Sequence, residues 1–199
     1  MRQRLAFLIS RILGPLPLIC LLWLTVAVKS GIGFWRAIWV YSLIFVVTIG
    51  IPMSITTALV ATRRVKDIEW SDIKQRQKYM PALTTFAVAS LIILSKLLID
   101  GTVFHLSLVL SVIILAMMLI WSLFNFKISG HIVIATCTFM TINLYFHLKF
   151  IWLFLLLFPI IWARKTLKMH TFAELAAGII LPMAISLAAV IIFGYPNIP

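Results

Sequence analysis

The run HIVIATCTFMTINLYFHLKFIWLFLLLFPIIWAR, residues 131–164, decides how this chain is threaded. As a single helix it would leave His131 and Arg164 at opposite faces of a bilayer. As two segments, 131–147 and 150–163, it turns back and returns Arg164 to the face on which His131 begins. The division rests on the polar break at His147 and Lys149, which the apolar periodicity on either side does not bridge. The second segment is short and contains Pro159.

The remainder of the chain is read outward from that hairpin. Apolar runs of about 20 residues are long enough to cross the hydrocarbon core as helices. Seven such segments stand out, roughly 5–28, 34–62, 81–98, 103–124, 131–147, 150–163 and 171–193. Lys29 to Gly31 and Asp100-Gly101 read as turns, and Lys127 to Gly130 joins the fourth segment to the fifth. Arg63 to Met80 mixes basic and acidic residues, as an amphipathic loop or short helix does. The predicted architecture is all-α: a polytopic transmembrane helical bundle of about six to seven spans. Transmembrane helices over 1–62 precede a core over 63–199.

Composition agrees with this reading. Of the 199 residues, 63% are hydrophobic and 11% charged, with a mean hydropathy of +1.15, which excludes an ordinary soluble domain. The net charge of +12 is not a nucleic-acid footprint. Its basic residues lie in loops between apolar runs, where anionic head groups and topology account for them. Cys20 and Cys137 fall inside apolar runs without metal-type spacing and read as buried structural thiols. The start, Met1 to Arg4, is basic like a signal-peptide n-region. Arg11 interrupts the following apolar stretch, so a retained first helix is expected.

With seven crossings, the N-terminus, the 63–80 loop, the 125–130 turn and the 164–170 loop share one side. That side holds Arg2, Arg4, Arg63, Arg64, Lys66, Lys127, Lys165 and Lys168; the other holds Lys29, Arg36, Lys96 and Lys149. Positive-inside logic makes the first side cytoplasmic. Trp35, Trp39 and Trp152 fit one interfacial belt, and Trp70, Trp121 and Trp162 fit the other.

Three polar clusters collect on that basic face: Lys74 to Pro81, Ser129-Gly130-His131, and Arg164 with His170 and Glu174. His131 and His170 are expected to open helices there, where backbone amides favour an anion. His105 and His147 lie at the far interface without charged neighbours and read as structural. Glu174 lies one turn into an apolar helix, where a carboxylate needs a partner. His170, four positions earlier, supplies one on the same helical face, and such a contact fixes an imidazole tautomer. Each feature alone has a plain explanation. Arg164 is then a snorkelling cation, Ser129 an N-cap, Lys74, Arg76 and Lys78 a lipid-facing charge run, and His170–Glu174 a structural pair. Their co-location shifts the balance toward chemistry.

The arrangement resembles the type 2 phosphatidic acid phosphatase superfamily, which includes glucose-6-phosphatases and vanadium haloperoxidases. That family has a Lys/Arg segment ending at Pro, then Pro-Ser-Gly-His, then Ser-Arg, five residues, His, three residues, Asp. Here Lys74 to Pro81 precedes Ile128-Ser129-Gly130-His131, followed by Ala163-Arg164, five residues, His170, three residues and Glu174. The resemblance spans roughly 63–193. It departs at Ile128 for Pro, Ala163 for Ser, Glu174 for Asp, and in the first cluster at Ile73 and Met80, where the family places cations.

The resemblance implies metal-independent, two-step phosphoester hydrolysis with no cofactor. His170 would attack phosphorus, oriented by Glu174, and His131 would protonate the leaving group and later activate water. Arg164, Lys74, Arg76, Lys78 and the Ser129-Gly130 amides would bind the phosphate. The implied substrate is a lipid phosphate: phosphatidic acid, phosphatidylglycerol phosphate or a polyprenyl phosphate or pyrophosphate. Rival readings are a lipid phosphotransferase on the same scaffold and a catalytically inactive lipid-binding protein. A small transporter fits less well, because its ionisable residues belong near mid-membrane.

Overall fold

The computed structural model describes residues 1–31, 33–98, 111–113, 115–117, 119–120 and 123–193. Every regular element among them is helical. In chain order they are α1 (Arg2–Ile12), α2 (Pro15–Ser30), α3 (Phe34–Phe45), a π-helical turn (Val46–Gly50), α4 (Ile51–Ala61), α5 (Ile73–Leu98), α6 (Gly130–Tyr145), a 3-10 helix (Ile151–Leu156), α7 (Leu157–Thr166) and α8 (Phe172–Phe193). Among the described residues, three helical stretches are long and apolar enough to cross a membrane: Arg2–Lys29 taken through its bend, Ile73–Leu94 and Phe172–Ile192. The other apolar helices are shorter, among them Phe34–Phe45, Ile51–Ala61 and Gly130–Tyr145. Most of the segment expected at 103–124 lies outside the described residues.

Several boundaries differ from expectation, each for a local reason. The first segment bends at Leu13-Gly14, ahead of Pro15, whose missing N–H suits a helix start. A Cβ on Gly14 would lie 2.6 Å from the Ser10 carbonyl, so only glycine fits this bend. Pro52 follows the π-helical turn and has no N–H for the Thr48 carbonyl, and the wider turn absorbs that defect. The helix expected to begin at 81 begins at Ile73 and carries Pro81 inside it, so of the loop or short helix expected over 63–80, the Lys74–Lys78 part is helical and continuous with the long helix. Cys20 is exposed and Cys137 only partly buried, against the expectation of two buried thiols. Trp70 is buried and packs on Tyr79 at 6.0 Å between ring centroids, so it is no interfacial anchor. Trp121 lies outside the described residues.

The chain forms two compact units, Met1–Gly31 with Lys127–Pro199, and Ile32–Phe126. The boundary expected at 62/63 falls inside the second unit. In the first unit, the run 131–164 does turn. α6 ends at Tyr145, and His147 and Leu148 both take left-handed backbone angles. The Leu148 N–H reaches the Asn143 carbonyl at 2.8 Å. Asn143 Nδ2 donates to the carbonyls of Phe139 and Phe150, pinning the corner. Pro159 has no N–H for the Leu155 carbonyl, and the 3-10 geometry of 151–156 ends just before it. With six residues rising about 2.0 Å each and ten about 1.5 Å each, this arm reaches roughly 27 Å, close to the ~30 Å hydrocarbon thickness.

The core of this unit joins Leu18 of α2, Ile132, Ala135 and Phe139 of α6, Leu157 and Ile160 of α7, and Leu175 of α8. α8 approaches α6 closely, since a Cβ on Gly178 would stand 3.0 Å from Ile132 Cγ2. α2 is tied to α6 by Thr138 Oγ1, which donates to the Leu18 carbonyl at 3.1 Å. On the outside Leu155, Phe158, Ile180, Leu187 and Ile191 are exposed. Apolar surface of that extent is suited to lipid and not to water.

Candidate functional site

The starts of α6 and α8 and the end of α7 meet at one end of the first unit, and local capping rules fix where each polar side chain falls. α7 closes with a Schellman motif. The Met169 N–H bonds the Arg164 carbonyl at 3.1 Å and the Lys168 N–H bonds the Lys165 carbonyl at 3.0 Å, with Lys168 left-handed at φ 55°. Two residues later α8 opens with a capping box. The Thr171 N–H donates to Glu174 Oε2 at 2.9 Å, and the Glu174 N–H donates to Thr171 Oγ1 at 3.3 Å. His170 therefore sits just outside α8, not on its face as the four-residue spacing suggested.

His170 Nδ1 lies 3.2 Å from Glu174 Oε2 and 3.2 Å from the Lys127 carbonyl. Both neighbours accept only, because the carboxylate is needed as acceptor for the Thr171 N–H as well. Nδ1 therefore carries the proton, and in the neutral ring the lone pair is on Nε2. Lys127, Lys165 and Lys168 join His170, Thr171 and Glu174 around an open depression of about 370 Å³. Lys165 Nζ is held 4.1 Å above the Phe172 ring.

A second cluster is buried beside α7. Arg164, only 2% exposed, donates from one terminal nitrogen to Ser10 Oγ at 3.1 Å. The same nitrogen lies 3.5 Å from His131 Nε2, and Ser10 Oγ is 3.2 Å from that ring atom. The two clusters are linked through the backbone, since the Ser129 N–H reaches the Glu174 carbonyl at 3.4 Å. Ser129 precedes α6 but makes no side-chain cap, and its buried hydroxyl has no hydrogen-bond partner among the described residues. Gly130 begins α6, so first-turn amides lie at this end.

Of the nine site residues expected from sequence, His131 and Arg164 come together, as do His170 and Glu174, with Ser129 and Gly130 between the pairs. Lys74, Arg76 and Lys78 belong to the second unit. There Arg76 is buried, while Lys74 and Lys78 are exposed on α5. Among the described residues, no three His, Cys, Asp or Glu side chains are grouped to hold a metal ion.

Sequence reasoning missed Ser10, Thr171 and the three lysines around the depression. Thr171 carries a readable signal, the Thr-x-x-Glu of a capping box, while nothing local marks Ser10. Because Thr171 caps α8, Thr171→Ala is expected to lower unfolding stability by about 1 kcal/mol. Glu174→Ala, which removes the cap and the imidazole contact together, is expected to cost more. Thermal unfolding in detergent measures both, and equal midpoints for wild type and Thr171→Ala would refute the capping role.

No protein-family model, curated protein or solved structure matches the chain.

Proposed function

We propose that this chain is a membrane lipid phosphatase of the type 2 phosphatidic acid phosphatase kind, working through a phosphohistidine. The observation carrying the proposal is the pairing of polar groups at one end of the first unit. His170 has Nδ1 committed to acceptors, so Nε2 carries the lone pair of the neutral ring, while Arg164 stands beside the second histidine. Three lysines round the same depression supply further positive charge.

In the proposed reaction His170 Nε2 forms a bond to phosphorus as the ester P–O bond breaks. His131 gives its Nε2 proton to the departing alkoxide. Water then attacks the phosphohistidine, His131 Nε2 takes its proton, and the P–N electron pair returns to His170. Arg164 counters the charge on the phosphoryl oxygens with fixed donors. Glu174 holds the attacking ring, so Glu174→Gln, which keeps an acceptor for the Thr171 N–H, is expected to lower turnover more than stability.

The substrate class is a lipid phosphate or pyrophosphate whose tail stays in the bilayer, and the active face is the cytoplasmic one. A lipid-binding protein without turnover is the second reading. The capping box and the Schellman motif favour it, because they account for the spacing from Arg164 to Glu174 without any chemistry.

Purified full-length protein in mixed micelles, offered phosphatidic acid, phosphatidylglycerol phosphate and a polyprenyl pyrophosphate, separates the two. Release of phosphate from at least one, undiminished by EDTA, is expected; release from none would leave the binding protein. For orientation, a cysteine at the exposed Lys168, with Cys20 and Cys137 replaced, is expected to resist impermeant thiol reagents until cells are permeabilised. Labelling of intact cells would reverse the assigned face.

A further inference from the structure

We propose that Ser10 of α1 is a positioning residue that sets the tautomer of His131, an inference that rests on the phosphatase reading. A guanidinium only donates, so the Ser10 oxygen accepts the Arg164 N–H at 3.1 Å. That contact leaves the oxygen a second acceptor position, so the direction of its 3.2 Å contact with His131 Nε2 is fixed by the other neighbour of the ring. Arg164 also faces Nε2 at 3.5 Å and offers that atom nothing but hydrogens. His131 Nε2 is therefore an acceptor, and the neutral ring keeps its proton on Nδ1. Ser10, His131 and Arg164 are all buried, so bulk water does not replace the hydroxyl.

That tautomer is the form the acid step leaves behind and the form from which the second step starts, whereas the first step needs Nε2 protonated. After an imidazolium gives its Nε2 proton to the leaving alkoxide, the ring left behind is neutral with its proton on Nδ1. The same form has the Nε2 lone pair that removes a proton from the attacking water. The Ser10 hydroxyl stabilises this form in place, between the two steps, beside the cation that holds the phosphoryl oxygens.

The fold supplies the hydroxyl deliberately. α1 packs along α7, which carries Arg164. The chain bends two residues after Ile12, at the Gly14 that alone tolerates the Ser10 carbonyl at 2.6 Å from a Cβ position. The bend lets α2 run along α6 while Ser10 stays turned toward the histidine.

The test uses the full chain in nanodiscs, as wild type, Ser10→Ala and Ser10→Thr, with two phosphate esters on the same lipid tail. One ester has an alkyl and the other a nitrophenyl leaving group. Ser10→Ala is expected to slow phosphoenzyme formation about tenfold for the alkyl ester, one hydrogen bond's worth, and to leave the nitrophenyl ester nearly unchanged because it needs no acid. Ser10→Thr, which keeps the hydroxyl, should recover most of the rate. Nitrogen-15 spectra of His131 should show the Nδ1–H tautomer in wild type and a mixture in Ser10→Ala.

An equal fall for both esters, or a tautomer indifferent to Ser10→Ala, would overturn the role of Ser10. A tautomer that responds in a wild-type protein releasing no phosphate would instead overturn the phosphatase reading and leave the hydrogen-bond assignment standing.

Discussion

His170→Ala is expected to abolish phosphate release from every lipid phosphate the wild type accepts. On the proposed mechanism the substitution removes the atom to which phosphorus is transferred, so no covalent path remains. Deleting a covalent nucleophile elsewhere has cost on the order of a millionfold in kcat. The structure bears on the expectation, because two acceptors hold the ring through Nδ1, which puts the lone pair of the neutral ring on Nε2. Base-quenched reactions of the wild type should contain an alkali-stable, acid-labile phosphoenzyme, and those of His170→Ala should contain none. Near-normal turnover by His170→Ala would end the proposed mechanism. His170→Ala should still fold, since the Thr171–Glu174 capping box does not use the imidazole.

His131→Ala is expected to be the second most damaging change, and its effect should depend on the substrate. Loss of a general acid or base typically costs about a hundred- to ten-thousandfold. An alkyl ester should suffer the full loss in the first step. A nitrophenyl ester should still phosphorylate His170 at an appreciable rate, after which the intermediate persists because no base activates water. Phosphoenzyme should therefore accumulate in His131→Ala with the activated ester and stay scarce in the wild type. Rapid-quench measurement of the two species checks this, and a loss blind to leaving group would point to misfolding. Such misfolding is a real competitor here, because His131 shares Ser10 with a buried guanidinium.

Much of the helical layout was legible because apolar runs and polar breaks have direct physical causes. The turn within 131–164 is the clearest case. His147 and Lys149 marked it, and the chain leaves the helix two residues before the first of them. The spacing from Arg164 to Glu174 was legible too, although its immediate cause is a helix end followed by a helix start.

What escaped were features with no local signature. Ser10 lies 121 residues from His131 in sequence, and one serine on an N-terminal helix announces nothing. The α5 start was set too late because Pro81 was read as a boundary, whereas a proline within a long apolar helix is tolerated when packing compensates. Cys20 was misplaced because an apolar run does not say which side faces protein and which faces lipid.

Among the described residues, three helices end on non-glycine residues at positions that glycine usually occupies. Arg63 after α4, His147 after α6 and Lys168 after α7 all adopt left-handed angles, at φ 57°, 50° and 55°. A side chain there strains the backbone, by roughly 1 kcal/mol relative to glycine. Two of the three positions are also among the basic residues on which the proposed orientation rests. Conformational ease and vectorial information thus compete for the same residue. Glycine at Arg63 or Lys168 would make a sturdier protein in detergent and a less decisively oriented one in a living membrane.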